Sequence, residues 1–137
     1  MSLIYYNSIN SDSAGRLQKI LEAEVLTEKI ETCQSVEEFS DRLCRTNHGQ
    51  SIAVILISAM TEFYELFSIR MLLNDIRVIL ILPDRSSEII SAGYKLHPRF
   101  ISYVDTDFKE VAVVLRRMIK LVEQRTIMPE KACPGLH

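Results

Sequence analysis

The sequence predicts a doubly wound α/β domain, in which a parallel sheet lies between two layers of helices. The first observation is residues 51–58, whose uncharged interior is rich in β-branched residues and is typical of a strand buried on both faces. The second is residues 78–82, a similar run that follows after about one helix of sequence, the spacing of a parallel βαβ unit. The third is the alternation of five strand patterns with five helix patterns. The simplest sheet order for such a chain is 2-1-3-4-5.

The first strand and helix are separated by a cluster of turn and cap formers. Residues 3–6 are apolar or aromatic and predict the strand, and residues 7–13 form the loop that follows. Apolar residues then recur at helical spacing over residues 14–24. We expect Asp12 or Ser13 to cap this helix.

An edge strand and a second helix come next. Residues 29–34 alternate between polar and apolar positions, which predicts a half-exposed strand at the edge of the sheet. Ser35 precedes Glu38 by three residues, a capping-box pattern that starts the second helix at Val36. The turn formers at residues 47–49 are expected to end it.

Three helices and two strands follow the central strand. Residues 61–73 predict a helix with apolar residues on more than one face, as in a helix that is well buried or that meets a partner. A short helix over residues 86–92 is expected to stop at Gly93. Residues 100–104 predict the fifth strand, and residues 108–125 the last helix.

The composition is that of one globular domain without a dominant charge. The chain has 137 residues, 47% of them hydrophobic, and a net charge of -2, which favours neither nucleic acid nor an anionic membrane as a partner. Its apolar runs fall far short of the roughly 20 residues that span a membrane. Three cysteines at irregular spacing predict free thiols and a reducing cytoplasm. Residues 1–125 are the predicted domain, and residues 126–137 a carboxy-terminal tail.

The carboxyl ends of the strands are where open parallel sheets bind ligands and perform chemistry. In this chain the ends lack the acids and bases expected of an active site. The residues found there are Asn7, Ser8, Ser58, Pro83 and Asp105. No acid lies within residues 51–61, and the nearest, Glu62, falls inside the next predicted helix. The sequence therefore predicts no catalytic residue, no metal site and no cofactor.

The number and order of elements over residues 3–122 resemble the receiver domain of response regulators, most closely over residues 78–103. In that family two acids after the first strand hold a divalent metal, and an acid ending the third strand accepts a phosphoryl group. A Ser or Thr ends the fourth strand and a Lys ends the fifth. This chain departs from that pattern at Asn7, Ser8, Ser58, Pro83 and Asp105. The resemblance therefore implies a pseudo-receiver, a non-enzymatic protein-interaction and signalling module that works without phosphorylation.

The last predicted helix has a wider apolar face than contact with a sheet requires. A row that begins in the sheet-facing stripe and continues on its flank has the 3-4-3 spacing of a helix-pairing seam, and we expect Val114 and Leu121 to be exposed beside Met118 in a single chain. The row and a charged neighbour are Val111, Val114, Arg117, Met118 and Leu121. In receivers the fourth helix, fifth strand and fifth helix form the usual dimerising face, so the resemblance implies a homodimer here. The alternative is that the tail at residues 126–137 covers the row.

A second class of function is left open by the loop at residues 8–13. Flavodoxins, another family of this topology, hold a flavin phosphate at such a loop with hydroxyls and backbone amides at a helix N-terminus. Ser8, Ser11 and Ser13 offer hydroxyls, although the loop has no glycine and Asp12 would repel a phosphate. The alternative function is therefore binding of a small ligand, a phosphate or a flavin.

Overall fold

A five-stranded sheet runs through the centre of the molecule. The computed structural model describes residues 2–9, 11–25, 29–46 and 50–127. The strands are β1 (Ser2–Asn7), β2 (Ile30–Cys33), β3 (Ser51–Leu56), β4 (Arg77–Leu82) and β5 (Phe100–Tyr103). Neighbouring strands are all parallel, in the order β2-β1-β3-β4-β5. The predicted doubly wound α/β fold, a flavodoxin-like arrangement, is confirmed.

Helices cover both faces of this sheet. They are α1 (Asp12–Glu24), α2 (Val36–Arg45), α3 (Thr61–Ser68), α4 (Ser87–Tyr94) and α5 (Lys109–Ile127). The helix predicted over residues 61–73 is two segments, because a 3-10 helix at Arg70–Leu73 follows α3. Ile69 joins the two, with φ -113° and ψ 14°, outside the α-helical region.

Two apolar cores fill the spaces between the layers. One joins the sheet to α2, α3 and α4, and the other joins it to α1 and α5. Successive side chains of a strand point to opposite faces, so Val78, Leu80 and Leu82 of β4 belong to the first core, and Ile79 and Ile81 to the second. Every residue of β3 and β4 is buried, as predicted for strands covered on both sides.

The cap of α1 differs from the prediction. Ser11 Oγ accepts a hydrogen bond from Ala14 N at 3.1 Å, and the helix begins at Asp12. The prediction of Asp12 or Ser13 as the cap is therefore wrong. All three residues are good caps, so local pattern does not choose among them.

β2 and α2 agree with the sequence. β2 is partly exposed at one edge of the sheet, as predicted for residues 29–34. Ser35 Oγ accepts from Glu38 N at 3.1 Å, and the Glu38 carboxylate accepts from Gln34 N at 3.0 Å. The Ser35 cap is therefore confirmed, whereas the Glu38 side chain binds the amide one residue before the cap and not that of Ser35, as a strict capping box would require. Residues 47–49, predicted to end α2, lie outside the described residues.

Gly93 lies inside α4, which continues to Tyr94. A Cβ at Gly93 would lie 3.0 Å from Leu80 Cδ2 and 3.4 Å from Leu82 Cδ2. The prediction of Gly93 as a helix stop is wrong, because the glycine allows α4 to approach β4 closely.

α5 begins at Lys109, one residue later than predicted, and continues to Ile127. Phe108 precedes it with φ 62°, and its buried ring lies under the Arg16 guanidinium at 5.2 Å. Neither α5 nor any other helix in the described ranges has the apolar length to cross a membrane. Residues 128–137 of the predicted tail lie outside the described residues.

Candidate functional site

The carboxyl ends of β1, β3 and β4 meet around a shallow cleft. Ser8 Oγ lies 3.3 Å from Ser58 Oγ across the ends of β1 and β3. Both serines line the cleft, of about 230 Å³, together with Pro83 and apolar residues that include Ile9 and Val104. Three of the predicted strand-end residues are therefore brought together in a lining of hydroxyls and hydrocarbon.

A carboxylate does reach this edge, and it comes from a helix. Glu62, in the first turn of α3, is only 7% exposed. Its Oε1 accepts hydrogen bonds from Ser58 N at 2.6 Å, Ser58 Oγ at 2.5 Å and Ala59 N at 3.2 Å. Its Oε2 accepts from the Tyr6 hydroxyl at 2.7 Å. Glu62 falls inside the helix, as predicted, but the expectation that it leaves the end of β3 without a carboxylate is wrong, because helical side chains point back towards the helix N-terminus.

The charge of Glu62 is stabilised by its own chain. Burial acts to raise the pKa of the carboxyl group, but hydrogen bonds from Ser58 and Tyr6 outweigh it and hold the pKa below its usual value. Burial and the adjacent carboxylate raise the pKa of Tyr6, so its phenol keeps its proton and remains a donor. Three donors converge on Oε1, and the Tyr6 hydroxyl binds Oε2. Glu62 therefore ties β1, β3 and α3 together.

Asp105 lies apart from this cluster, at the exposed end of β5. It forms an ion pair with Arg85, which comes from the loop between β4 and α4. The Arg85 guanidinium also lies 4.1 Å from the centre of the Tyr103 ring. Arg85, the cation near the end of β5, is thus neutralised by Asp105. Both partners are largely exposed, so the pair adds little stability.

Asn7 closes the end of β1 and is buried. It pairs in register with Leu56 of β3, on the inner side of the Ser8 loop. The structure thus places Asn7 in the sheet and leaves Ser8 as the exposed residue at this strand end.

Metal-ligating side chains and thiols are scattered over the described residues. Among the described residues, no three His, Cys, Asp or Glu side chains form a group that could hold a metal ion. Cys33 is buried and Cys44 is exposed, and Cys133 lies outside the described residues. Burial raises the pKa of the Cys33 thiol to about 11, which makes it a poor nucleophile at neutral pH.

The hydroxyls of the loop after β1 are partly used by the fold. Ser11 caps the amide of Ala14, so a phosphate at this helix N-terminus would compete with it. Arg16 donates to Ser13 Oγ at 3.4 Å and to the Thr106 carbonyl at 3.3 Å. The loop is therefore tied both to α1 and to the segment after β5.

The predicted seam on α5 is divided between the core and the surface. Val111 and Met118 are 0% and 6% exposed, and Val114 is partly buried against the same core. Leu121 is 50% exposed, and Arg117 is also exposed. The expectation that Met118 lies exposed is wrong. The stripe that faces the sheet is Phe108, Val111, Leu115, Met118 and Val122.

Comparison with known proteins adds no family. A scan against models of protein families, a search of curated proteins and a search of solved structures each gave no match. The function is therefore argued from the fold and from the site.

Proposed function

We propose that this chain is a pseudo-receiver, a non-catalytic interaction module that signals through protein contacts in a reducing cytoplasm. The main support is the environment of Glu62 at the end of β3. Both carboxylate oxygens are engaged by donors from their own chain and the residue is only 7% exposed, which disfavours attack on phosphorus and binding of Mg²⁺. Glu62 therefore serves to hold the fold together and not to perform chemistry.

The other strand ends support the same function. Phosphoryl transfer needs a cation that offsets the charge developing on the phosphoryl oxygens. Here Arg85 is already paired with Asp105 and packed on Tyr103. The cleft between Ser8 and Ser58 offers hydroxyl and apolar groups in place of a metal-binding pair of acids.

Incubation with acetyl phosphate and Mg²⁺ should leave the mass of the protein unchanged. The expected result follows from the buried, hydrogen-bonded state of Glu62 and from the lack, among the described residues, of three side chains grouped to hold a metal ion. Intact-protein mass spectrometry measures it, with an active receiver domain treated in parallel as the positive control. A phosphoryl adduct that hydroxylamine removes would contradict the proposal, because such lability identifies an acyl phosphate.

The surface formed by α4, β5 and α5 is the proposed contact face. β5 is an edge strand, and its Ile101 and Tyr103 pack only partly into the core. On α4, Ile90 packs against the same core, and Tyr94, one turn later, is 64% exposed. Apolar groups on α4 are thus left partly or largely exposed.

α5 completes this face from the opposite layer. Helices of such a sheet run antiparallel to the strands, so the last turns of α4 and α5 both lie near the start of β5. Leu121 of α5, Tyr94 of α4 and the partly buried Phe100 of β5 therefore share one end of the face. Such a group is costly to leave in water and fits an isologous homodimer.

A variant with both Tyr94→Glu and Leu121→Glu should be a folded monomer, whereas the wild type should be a dimer. Two glutamates placed on the face would repel their copies across the two-fold axis and would lose the buried apolar area. Sedimentation velocity at high micromolar concentration measures the change. The matched control is Tyr64→Glu, because Tyr64 is 69% exposed on α3, away from this face, and its variant should remain a dimer.

Two results would contradict the dimer. One is a wild type that sediments as a monomer at that concentration. The other is stronger self-association after deletion of residues 128–137, which would support the alternative that the tail covers the face.

The alternative function is binding of a small ligand by the loop at residues 8–13. The observation that favours it is the cleft of about 230 Å³, whose lining includes the hydroxyls of Ser8, Ser13 and Ser58. An absorption spectrum and a phosphate assay of the purified protein decide between the two functions. A bound flavin or stoichiometric phosphate would favour the alternative.

A further inference from the structure

A second cleft lies at the amino ends of β4 and β5, on the edge of the sheet opposite the site described above. Its volume is about 340 Å³. One wall comes from the 3-10 helix and the turn after it, residues 70–76, and the other from the turn between α4 and β5, residues 95–99. The floor is apolar, because Leu73, Ile76 and Leu96 are all buried.

The rim of this cleft is positively charged, although the chain as a whole carries a net charge of -2. Arg70, Lys95 and Arg99 supply three positive charges and Asp75 one negative charge. In the part of the chain that the structure describes, no carboxylate pairs with any of the three cations. Arg70 donates to the Phe67 carbonyl at 2.8 Å through one Nη, which fixes the guanidinium at the rim.

The backbone beneath these side chains is held in place. His97 N donates to the Tyr94 carbonyl at 3.0 Å, and Arg99 N donates to the Val78 carbonyl of β4 at 2.8 Å. On the other wall, Ile76 N donates to the Leu73 carbonyl at 3.1 Å. A ligand would therefore meet a rim whose main chain needs little reorganisation on binding.

We propose that this cleft binds a small phosphate-bearing ligand. Guanidinium groups bind phosphate oxygens through paired hydrogen bonds, and an ammonium group adds a further charge-assisted bond. The volume is at the lower end of ligand pockets and exceeds that of one phosphate group, so the ligand extends over the apolar floor. The site is independent of the proposed pseudo-receiver function, since it uses none of the strand-end residues.

The proposal is tested by titrating the ¹⁵N-labelled protein with inorganic phosphate and, in a separate sample, with pyrophosphate. The amide signals are monitored by NMR in low-salt buffer. The amide signals of residues 74–76 and 95–99 should shift and saturate, and pyrophosphate should bind more tightly because it carries more charge. Arg99→Gln should weaken binding about tenfold, the effect of losing one charge-assisted hydrogen bond.

Asp75→Asn should have the opposite effect and strengthen binding about fivefold, because it removes the like charge from the rim. Asp75 has φ 67°, a conformation that Asn also tolerates, so the fold should be kept. A variant that binds more tightly cannot be explained by partial unfolding. The matched control is Lys19→Gln on α1, which removes an exposed charge far from the cleft and should leave the affinity unchanged.

Three results would overturn the proposal. The first is a set of amide shifts that grows linearly with the phosphate or pyrophosphate concentration and never saturates. The second is equal weakening by Arg99→Gln and Lys19→Gln, which would indicate a general effect of net charge. The third is unchanged affinity in Asp75→Asn.

Discussion

Replacing Ile55 with Asp should leave the protein unfolded. Ile55 is fully buried in the middle of β3, in register with Tyr6 of β1 and Leu80 of β4. An unpaired carboxylate there would cost several kcal/mol, which is comparable with the total stability of about 5–15 kcal/mol of a typical domain. Circular dichroism should show the loss of the cooperative thermal transition.

The matched control is Ile55→Val, which removes one methylene group from the same position. It should lower the free energy of unfolding by about 1 kcal/mol and keep a cooperative transition. If Ile55→Asp melted like the wild type, β3 could not be the central buried strand.

Glu62→Gln should destabilise the protein at neutral pH and remove part of its acid sensitivity. The folded state lowers the pKa of Glu62 below its ordinary value of 4.5, so folding favours the charged carboxylate. The stability from this group is complete above the unfolded pKa and is lost as the pH falls through the folded pKa. At neutral pH the variant should lose about 2 kcal/mol, since hydrogen bonds to a charged group are stronger than those to an amide.

Urea denaturation from pH 7 down to about pH 3 measures this difference, because that range spans the ordinary carboxyl pKa values. The wild type should lose its advantage over Glu62→Gln below the ordinary pKa of a glutamate. Glu24 has a pKa lowered by Arg116, so the difference between the two proteins, and not the wild-type curve alone, is the relevant quantity. Glu65→Gln, at an exposed position on α3, is the control and should behave as the wild type. Parallel curves for wild type and Glu62→Gln at all pH values would contradict the role given to the carboxylate.

The layers and the sheet order could be predicted from the sequence because buried strands and helices have characteristic patterns of apolar residues. The apolar runs in β3 and β4 indicate strands covered on both faces, whereas β2 shows the alternation of an edge strand. The cap of α2 by Ser35 is local chemistry and was also predictable. These features depend on neighbours in the chain or on burial alone.

Glu62 could not be placed in the same way. α3 begins at Thr61 without a side-chain cap. The Glu62 carboxylate instead accepts hydrogen bonds from the backbone amides of Ser58 and Ala59, before the helix. Acids are common in the first turn of helices, so the position of Glu62 in the sequence does not reveal this role. Only the meeting of β1 with β3 adds Tyr6 as the fourth donor.

The rotation of α5 about its own axis, relative to the sheet, could not be predicted from the sequence either. The sequence defines an apolar face, but a rotation smaller than the angle of about 100° between consecutive residues decides which residues lie at its centre. In the structure the fully buried Val111, Leu115 and Val122 lie at the centre, Met118 is buried to one side of them, and Ile119 is only partly buried. The cleft at residues 70–76 and 95–99 was missed for a related reason, because its two walls are distant in sequence and meet only at the amino ends of β4 and β5.

Each strand after β1 pairs with a strand that precedes it in the chain. β2 joins one side of β1, β3 joins the other side, and β4 and β5 are then added in order. During synthesis, β2, β3, β4 and β5 therefore each leave the ribosome after the strand with which they pair. An open edge of that earlier strand is the template for the new one. A nascent chain that ends after β3 contains all the partners of a three-stranded sheet, whereas a chain without β1 has lost the strand that joins β2 to β3.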